Sequence, residues 1–258
     1  MQGCLEKINK ILSENIESLL PDNRLAKFVT SGSKFIHSRL AINYIRANEK
    51  ELNDNLYYLL SAGELIHNAS LLHDDVIDSS EIRRGKSTIS CQYSPDVSVL
   101  CGDYLVSRAV ELLSKLQNSE ILNIFNKCVQ SMTQAEICQY FLRGKIPDKN
   151  TYIQICKGKT AGLFSAILES SSIISDIDKD IASEFGQIYG ICYQIKNDFE
   201  DTSANNDRKN QIFTAKDIFG IENAKILSDN YKEELRGLII TIPENTYKVS
   251  LKGLIDEL

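Results

Sequence analysis

Four prolines in 258 residues leave little to interrupt a helix. Each of them, Pro21, Pro95, Pro147 and Pro243, falls between helical patterns or at a first turn, where proline is tolerated. No stretch approaches the roughly 18 consecutive apolar residues of a membrane-spanning helix. Strand-type alternation is scarce, and no linker, low-complexity stretch or short repeat divides the chain. Positive charge is also in short supply. Against 35 Asp and Glu stand 29 Lys and Arg, a net charge of −6, which disfavours general attraction to nucleic acid or anionic membranes. An anionic ligand must therefore be met locally. The seven cysteines (Cys4, Cys91, Cys101, Cys128, Cys138, Cys156 and Cys192) form no C-x-x-C pair and lie mostly inside apolar patterns, as reduced core thiols do. The amino terminus reads as an amphipathic helix of mixed charge rather than a signal peptide, so a cytoplasmic protein is expected.

What the chain does have is helical periodicity. Apolar residues recur at three- and four-residue spacing over 33–48, 53–77, 94–117, 119–143, 150–176, 178–202 and 221–238. Ser94 reads as an N-cap with Pro95 at the first helical position. The expectation is an all-α fold of about ten helices, several too apolar all round to lie on a surface. At 258 residues and 43% hydrophobic, one domain over 1–258 with one large core is expected.

The stretch "LLHDDVIDSSEIRRGKST", residues 71–88, crowds three aspartates against two arginines at the end of an apolar run. If the helix continues through it, Asp74 and Asp78 project from one face, with Asp75 turned away. A solvated helix end is the bland reading, and it fits poorly. Acids at a helix C-terminus oppose the macrodipole, and the preceding turns are too apolar for solvent. Paired carboxylates at an apolar rim suit Mg²⁺, which takes one or two carboxylates and completes its shell with water and substrate phosphate. Arg83 and Arg84 then read as phosphate clamps. A second acidic helix, "GICYQIKNDFEDTSAN", places Asn197 and Asp201 on one face at the same spacing. Two such helices facing each other would gather metal ions around a diphosphate with an apolar tail.

"IHNASLLHDDVIDSSEIRRGKST" resembles the first aspartate-rich region of the trans-isoprenyl diphosphate synthases, the polyprenyl synthetase family. "SGSKFIHSRL" is similar to that family's first substrate motif, and "CGDYLVSRA" and "MTQAEICQYF" to two of its helices. "KGKTAGLFSA" resembles its lysine-threonine helix and "YQIKNDFED" its second aspartate-rich motif. The resemblance implies a bundle of mostly antiparallel helices around a central cavity and a homodimer. It also implies head-to-tail condensation of isopentenyl diphosphate onto an allylic diphosphate. On the same basis Asp74 and Asp78 would carry two Mg²⁺ ions, and the second motif, Asn197 and Asp201, a third. Arg83 and Lys159 would hold the allylic diphosphate, with Thr160 and Gln194 on the carbocation side. Lys34, His37, His67 and Arg84 would hold isopentenyl diphosphate. Ala69 and Ser70, five and four residues before Asp74, would form the floor that limits product length. Being small, they imply a product longer than geranylgeranyl diphosphate.

Three departures from the family pattern stand out. His37 occupies an arginine position, Asn197 an aspartate position, and the loop "TSANNDRKNQIFTAKD" lacks the usual glycine-lysine, for which Arg208 or Lys209 would have to substitute. Two other functions compete with elongation. One is a Mg²⁺-dependent terpene cyclase or lyase, whose second metal motif also begins Asn-Asp; the other is a weakly active partner subunit of a heteromeric synthase.

Overall fold

Asn53 starts the longest helix of the chain. Its side chain accepts a hydrogen bond from the Leu56 N–H at 3.0 Å, and from there Asp54–Ile77 stay helical. A computed structural model describes residues 1–16, 21–30, 33–200 and 209–258. These group into two compact units, residues 1–42 with 52–122 and residues 43–51 with 123–258.

In the first unit, α1 (Gln2–Ile16) buries Ile8, Leu12 and Ile16, one side chain per turn. After α2 (Arg24–Thr30) comes α3 (Ile36–Ala47), whose first turns belong here, and then α4 (Asp54–Ile77). Helix α4 is buried along most of its length, and three of its buried side chains are polar or charged beyond serine: Glu64, Asn68 and Asp75. The chain then reverses in a hairpin, β1 (Ile82–Arg83) against β2 (Lys86–Ser87). Its two central residues, Arg84 and Gly85, have φ of 51° and 73°, the double left-handed conformation of a type I′ turn. A short α5 (Ile89–Gln92) leads to α6 (Pro95–Ser114), capped by Ser94 with Pro95 at the first turn as the sequence indicated. Helices α4 and α6 approach closely because Gly102 has no side chain; a Cβ there would stand 2.2 Å from His73 Nε2. Tyr104 and Arg108 of α6 reach Asn15 at the end of α1.

In the second unit, α7 (Ser119–Phe141) has all but its first residues here, and α8 (Lys149–Cys156) is capped by Asp148. The pattern over 150–176 reads as one helix, but a π turn at Lys157–Ala161 separates α8 from α9 (Gly162–Ser175). The Gly162 N–H bonds back to the Lys157 carbonyl, five residues earlier. Helix α10 (Lys179–Phe199) packs against α9 and the π turn through Gly186 and Gly190. Among the described residues α11 (Ala215–Phe219), α12 (Ile221–Leu238) and α13 (Thr246–Asp256) follow. Tyr152, Ala161, Ile191, Ile195, Ala215 and Ala224 form one core cluster. Four cysteines, Cys101, Cys128, Cys156 and Cys192, are buried thiols as expected; Cys91 and Cys138, by contrast, are exposed. Among the described residues no helix is long and apolar enough to cross a membrane.

Candidate active site

On the first unit, Asp74 and Asp78 are half-buried at the C-terminal end of α4, and Asp78 is the capping residue itself. Asp75 is fully buried and accepts from Arg83 Nε at 2.6 Å. Burial pushes its carboxyl up, and Arg83 pulls it back. The run of three aspartates is thus two exposed-edge carboxylates around one internal counter-ion. Arg83, expected as a phosphate clamp, has its Nε committed to Asp75. Arg84 donates to the Phe28 carbonyl at 3.2 Å and lies 5.9 Å over the Phe28 ring. Among the described residues no three His, Cys, Asp or Glu side chains converge as a metal site. Two carboxylates completed by substrate oxygens remain the arrangement that suits Mg²⁺.

The four residues expected to hold isopentenyl diphosphate differ in their surroundings. Lys34 is exposed. His37 and His67 stack at 4.8 Å with a 56° tilt. Burial and the neighbouring His67 hold His37 well below its ordinary pKa; burial, Arg84 and Arg83 bring His67 to about 4. Both rings are neutral near pH 7. They can offer an N–H but no charge, so His37 does not replace the arginine electrostatically. Arg84 alone of the four lines a cavity of about 630 Å³ formed by α2, the hairpin and α5. Its other lining residues include Arg24, Lys27, Phe28, Arg83, Lys86 and Gln92. Of the expected floor residues, Ala69 is buried, and Ser70 is half-buried with its hydroxyl turned back onto the His67 carbonyl at 2.8 Å.

Glu64, one turn before His67, was not singled out from the sequence. It is the one acid in "LLSAGELIHNASLL", and that isolation was the available signal. Its Oε1 accepts from the Ser38 N–H at 3.2 Å and the Ser38 hydroxyl at 2.7 Å. Burial raises its pKa to about 7 against the lowering pull of Ser38 and Arg84. The native state therefore keeps a proton that the unfolded chain gives up near pH 4.5, so stability falls as pH rises from about 4.5 to 7. A shift of that size corresponds to about 3 kcal/mol. Glu64→Gln should remove this contribution, so that in urea melts between pH 5 and 8 the variant's stability changes more positively with pH than the wild type's. Asp75 and Asp198, also raised, contribute with the same sign, and His37 and His67, both lowered, with the opposite one; these contributions are common to wild type and variant. Identical slopes in both proteins would show that Glu64 is not the titrating group.

On the second unit, the π turn carries Lys159 and Thr160. Lys159 Nζ contacts Glu136 Oε2 at 2.5 Å and Gln139 Oε1 at 2.8 Å, two α7 residues three apart. Both stand in the quoted "MTQAEICQYF" without having been assigned a role. The Thr160 hydroxyl donates to Gln194 Oε1 at 2.7 Å, and Gln194 Nε2 donates to Asp198 Oδ1 at 2.8 Å. The other oxygen of Asp198 accepts from the Tyr152 hydroxyl and the Ala215 N–H, both at 2.7 Å. Asp198 is therefore held by three donors and, through Gln194, is linked to Thr160. Asn197 is half-buried, and a hydrogen bond with it opposes the burial that raises Tyr193. Asp201 and Arg208 lie outside the described residues.

The sequence profile described as Polyprenyl synthetase matches residues 22–221. The chain belongs to the polyprenyl synthetase family. Octaprenyl diphosphate synthase of Escherichia coli (strain K12) is 29% identical over 222 residues, covering 79% of this chain and 68% of the relative. Among solved polyprenyl synthetase structures, heptaprenyl diphosphate synthase from Staphylococcus aureus superposes with a TM-score of 0.91 at 22% identity, covering 99% of this chain and 96% of that one. Decaprenyl diphosphate synthase from Rhodobacter capsulatus gives 0.89 at 21%, covering 99% and 95%. The fold is accordingly the all-α fold of the isoprenoid synthases.

Proposed function

We propose that the chain is a Mg²⁺-dependent prenyltransferase that condenses isopentenyl diphosphate head-to-tail with an allylic diphosphate. Its product would be a trans-polyprenyl diphosphate longer than geranylgeranyl. The observation that carries this reading is the half-buried pair Asp74 and Asp78 at the end of α4, one hairpin away from clustered cations. Bound Mg²⁺ would offset the negative charge that develops on the leaving diphosphate. As the allylic carbon–oxygen bond breaks, the double bond of isopentenyl diphosphate attacks the resulting cation, and the departing diphosphate takes up the proton whose loss restores a double bond in the lengthened chain. Lys159, steadied by Glu136 and Gln139, would hold the allylic diphosphate. The Thr160 hydroxyl donates its hydrogen bond to Gln194 Oε1, which fixes the direction of the Thr160 lone pairs for the cation side. Asn197 and Asp201 would complete a third, weaker ion site, since an amide oxygen brings no charge.

A cyclase needs one diphosphate and gives no use to a second cationic pocket, and an inactive partner subunit gives no reason to keep Asp74 and Asp78. The reading takes the enzyme to be cytoplasmic and homodimeric, the latter checked by light scattering of the purified chain. The deciding experiment incubates it with Mg²⁺, an allylic diphosphate and isopentenyl diphosphate and separates products by length. Ser70 and Ala69 sit roughly 6–7.5 Å along the helix from Asp74. Ser70→Phe or Ala69→Phe should shorten the product by one or more isoprene units. A wild-type product no longer than farnesyl diphosphate would place the floor on another helix, and cyclised or unlengthened product would sink the elongase reading.

A further inference from the structure

Three hydrogen bonds run end to end through the second unit, from Tyr152, which no motif includes, to the Thr160 hydroxyl. Tyr152 of α8 is buried; its ring meets Phe219 of α11 edge-on at 5.6 Å, and its hydroxyl donates to Asp198 Oδ2 at 2.7 Å. Burial, with Cys156 and Asp198 beside it, pushes the phenol far above its ordinary pKa, so it stays a donor. The Ala215 N–H donates to the same oxygen. Two donors on Oδ2 hold the carboxylate so that Oδ1 faces the Gln194 amide, which donates at 2.8 Å. That bond decides the direction of the rest. With Nε2 turned to the carboxylate, Gln194 presents Oε1 to Thr160, and the Thr160 hydroxyl has to donate. Its lone pairs then face away from Gln194. Turned over, Gln194 would offer Thr160 an N–H instead, and the hydroxyl proton would point outward.

We propose that Tyr152 is a positioning residue for prenyl transfer, acting through Asp198 and Gln194 to keep the Thr160 lone pairs turned toward the developing allylic cation. This rests on the prenyltransferase reading for the identity of the reaction. Two side chains separate Tyr152 from Thr160, so it contributes direction and not contact with the reacting atoms. A lone pair aimed at a cation attracts it, whereas a hydroxyl proton aimed at it repels it. The charge that feels this difference develops only as the allylic bond breaks, so the effect falls on the chemical step and spares substrate binding.

A double-mutant cycle on the full chain tests this, with Tyr152→Phe, Thr160→Val and the two combined, assayed with Mg²⁺, an allylic diphosphate and isopentenyl diphosphate. Tyr152→Phe keeps the ring against Phe219 and removes only the donor. It should lower kcat about tenfold while KM for both substrates stays within about twofold. In the Thr160→Val background the same change should cost almost nothing further, because the hydroxyl it directs is gone. Phe219→Leu, which disturbs the ring contact and leaves the hydrogen bonds, is the control for a merely structural role and should keep the wild-type kcat. Equal losses from Tyr152→Phe in both backgrounds, or a loss confined to KM, overturn the proposal. A second readout needs no turnover: the Gln194 side-chain amide resonances of the substrate-free protein should shift in Tyr152→Phe and hold still in Phe219→Leu. Unchanged resonances in Tyr152→Phe overturn the hydrogen-bond chain whatever the activity. A wild type that shows the shift yet yields no lengthened product refutes the elongase reading instead, and with it the role in prenyl transfer, leaving the chain of bonds standing.

Discussion

Asp74→Ala and Asp78→Ala should each lower turnover by about 10²- to 10³-fold, the loss typical of removing one preorganised electrostatic group. Neither change should lower the melting temperature. Both carboxylates sit where the carbonyl ends of α4 already concentrate negative charge, so their removal relieves a repulsion. Asp75→Ala should do something different, although it lies between them. It strips the counter-ion from Arg83 and leaves a cavity in a fully buried position. Breaking a fully buried pair costs about 3–5 kcal/mol; with Arg83 26% exposed, the loss here should fall below that range. Melting curves beside steady-state rates for the three variants separate the two kinds of aspartate. A stable, slow Asp75→Ala with an unstable, fast Asp74→Ala would reverse the assignment.

Gly190→Leu should be the most disruptive single change in the second unit. Even a Cβ at that position would stand 2.3 Å from the Ala161 Cα, which is backbone and cannot rotate away. Overpacking of this kind costs about 1–3 kcal/mol and sometimes more, and the larger end is expected here. The activity loss should exceed what the stability loss explains, because Ala161 closes the π turn that carries Lys159 and Thr160. Separating α10 from that turn also breaks the Thr160–Gln194 bond. Gly237→Ala on α12, where a Cβ meets nothing within 4 Å, is the control and should stabilise by about 0.5–1 kcal/mol. Urea denaturation with parallel assays decides; a Gly190→Leu protein as stable as wild type would mean that α10 and the turn are not packed as described.

The sequence made the helices legible because their signals are local. Asn53, Ser94 and Asp148 each cap the helix that follows, and the long apolar periods gave α4, α6, α7 and α10 nearly to the residue. The hairpin was not foreseen, since two-residue strands have no periodicity to read; its only sign was "RRGK", where Gly85 permits the left-handed turn. Candidate site residues were legible where a motif of several positions shared one helix, as with Asp74 and Asp78. What was not legible was any partner distant in sequence. Nothing near His37 announces that burial against His67 keeps it neutral. Nothing near Asp198 announces that Tyr152, 46 residues earlier, claims its second oxygen. The Lys27 and Lys86 pocket belongs to the same class, because its cations come from segments that only the fold brings together.

The π turn makes the number of residues between Tyr152 and Phe164 matter more than most of their identities. On one flank Tyr152 reaches Asp198 of α10, and on the other Phe164 packs 5.2 Å from Tyr189 of the same helix. An i→i+5 turn holds one residue more than an α turn, so deleting one residue from Lys157–Ala161 would close it to an ordinary α turn with both flanks in phase but would remove the bulge that presents Lys159 and Thr160. Insertions elsewhere can be absorbed by loops, but this segment has none to spend. Across descendants of this gene, the length of 152–164 should accordingly stay fixed even where its letters drift.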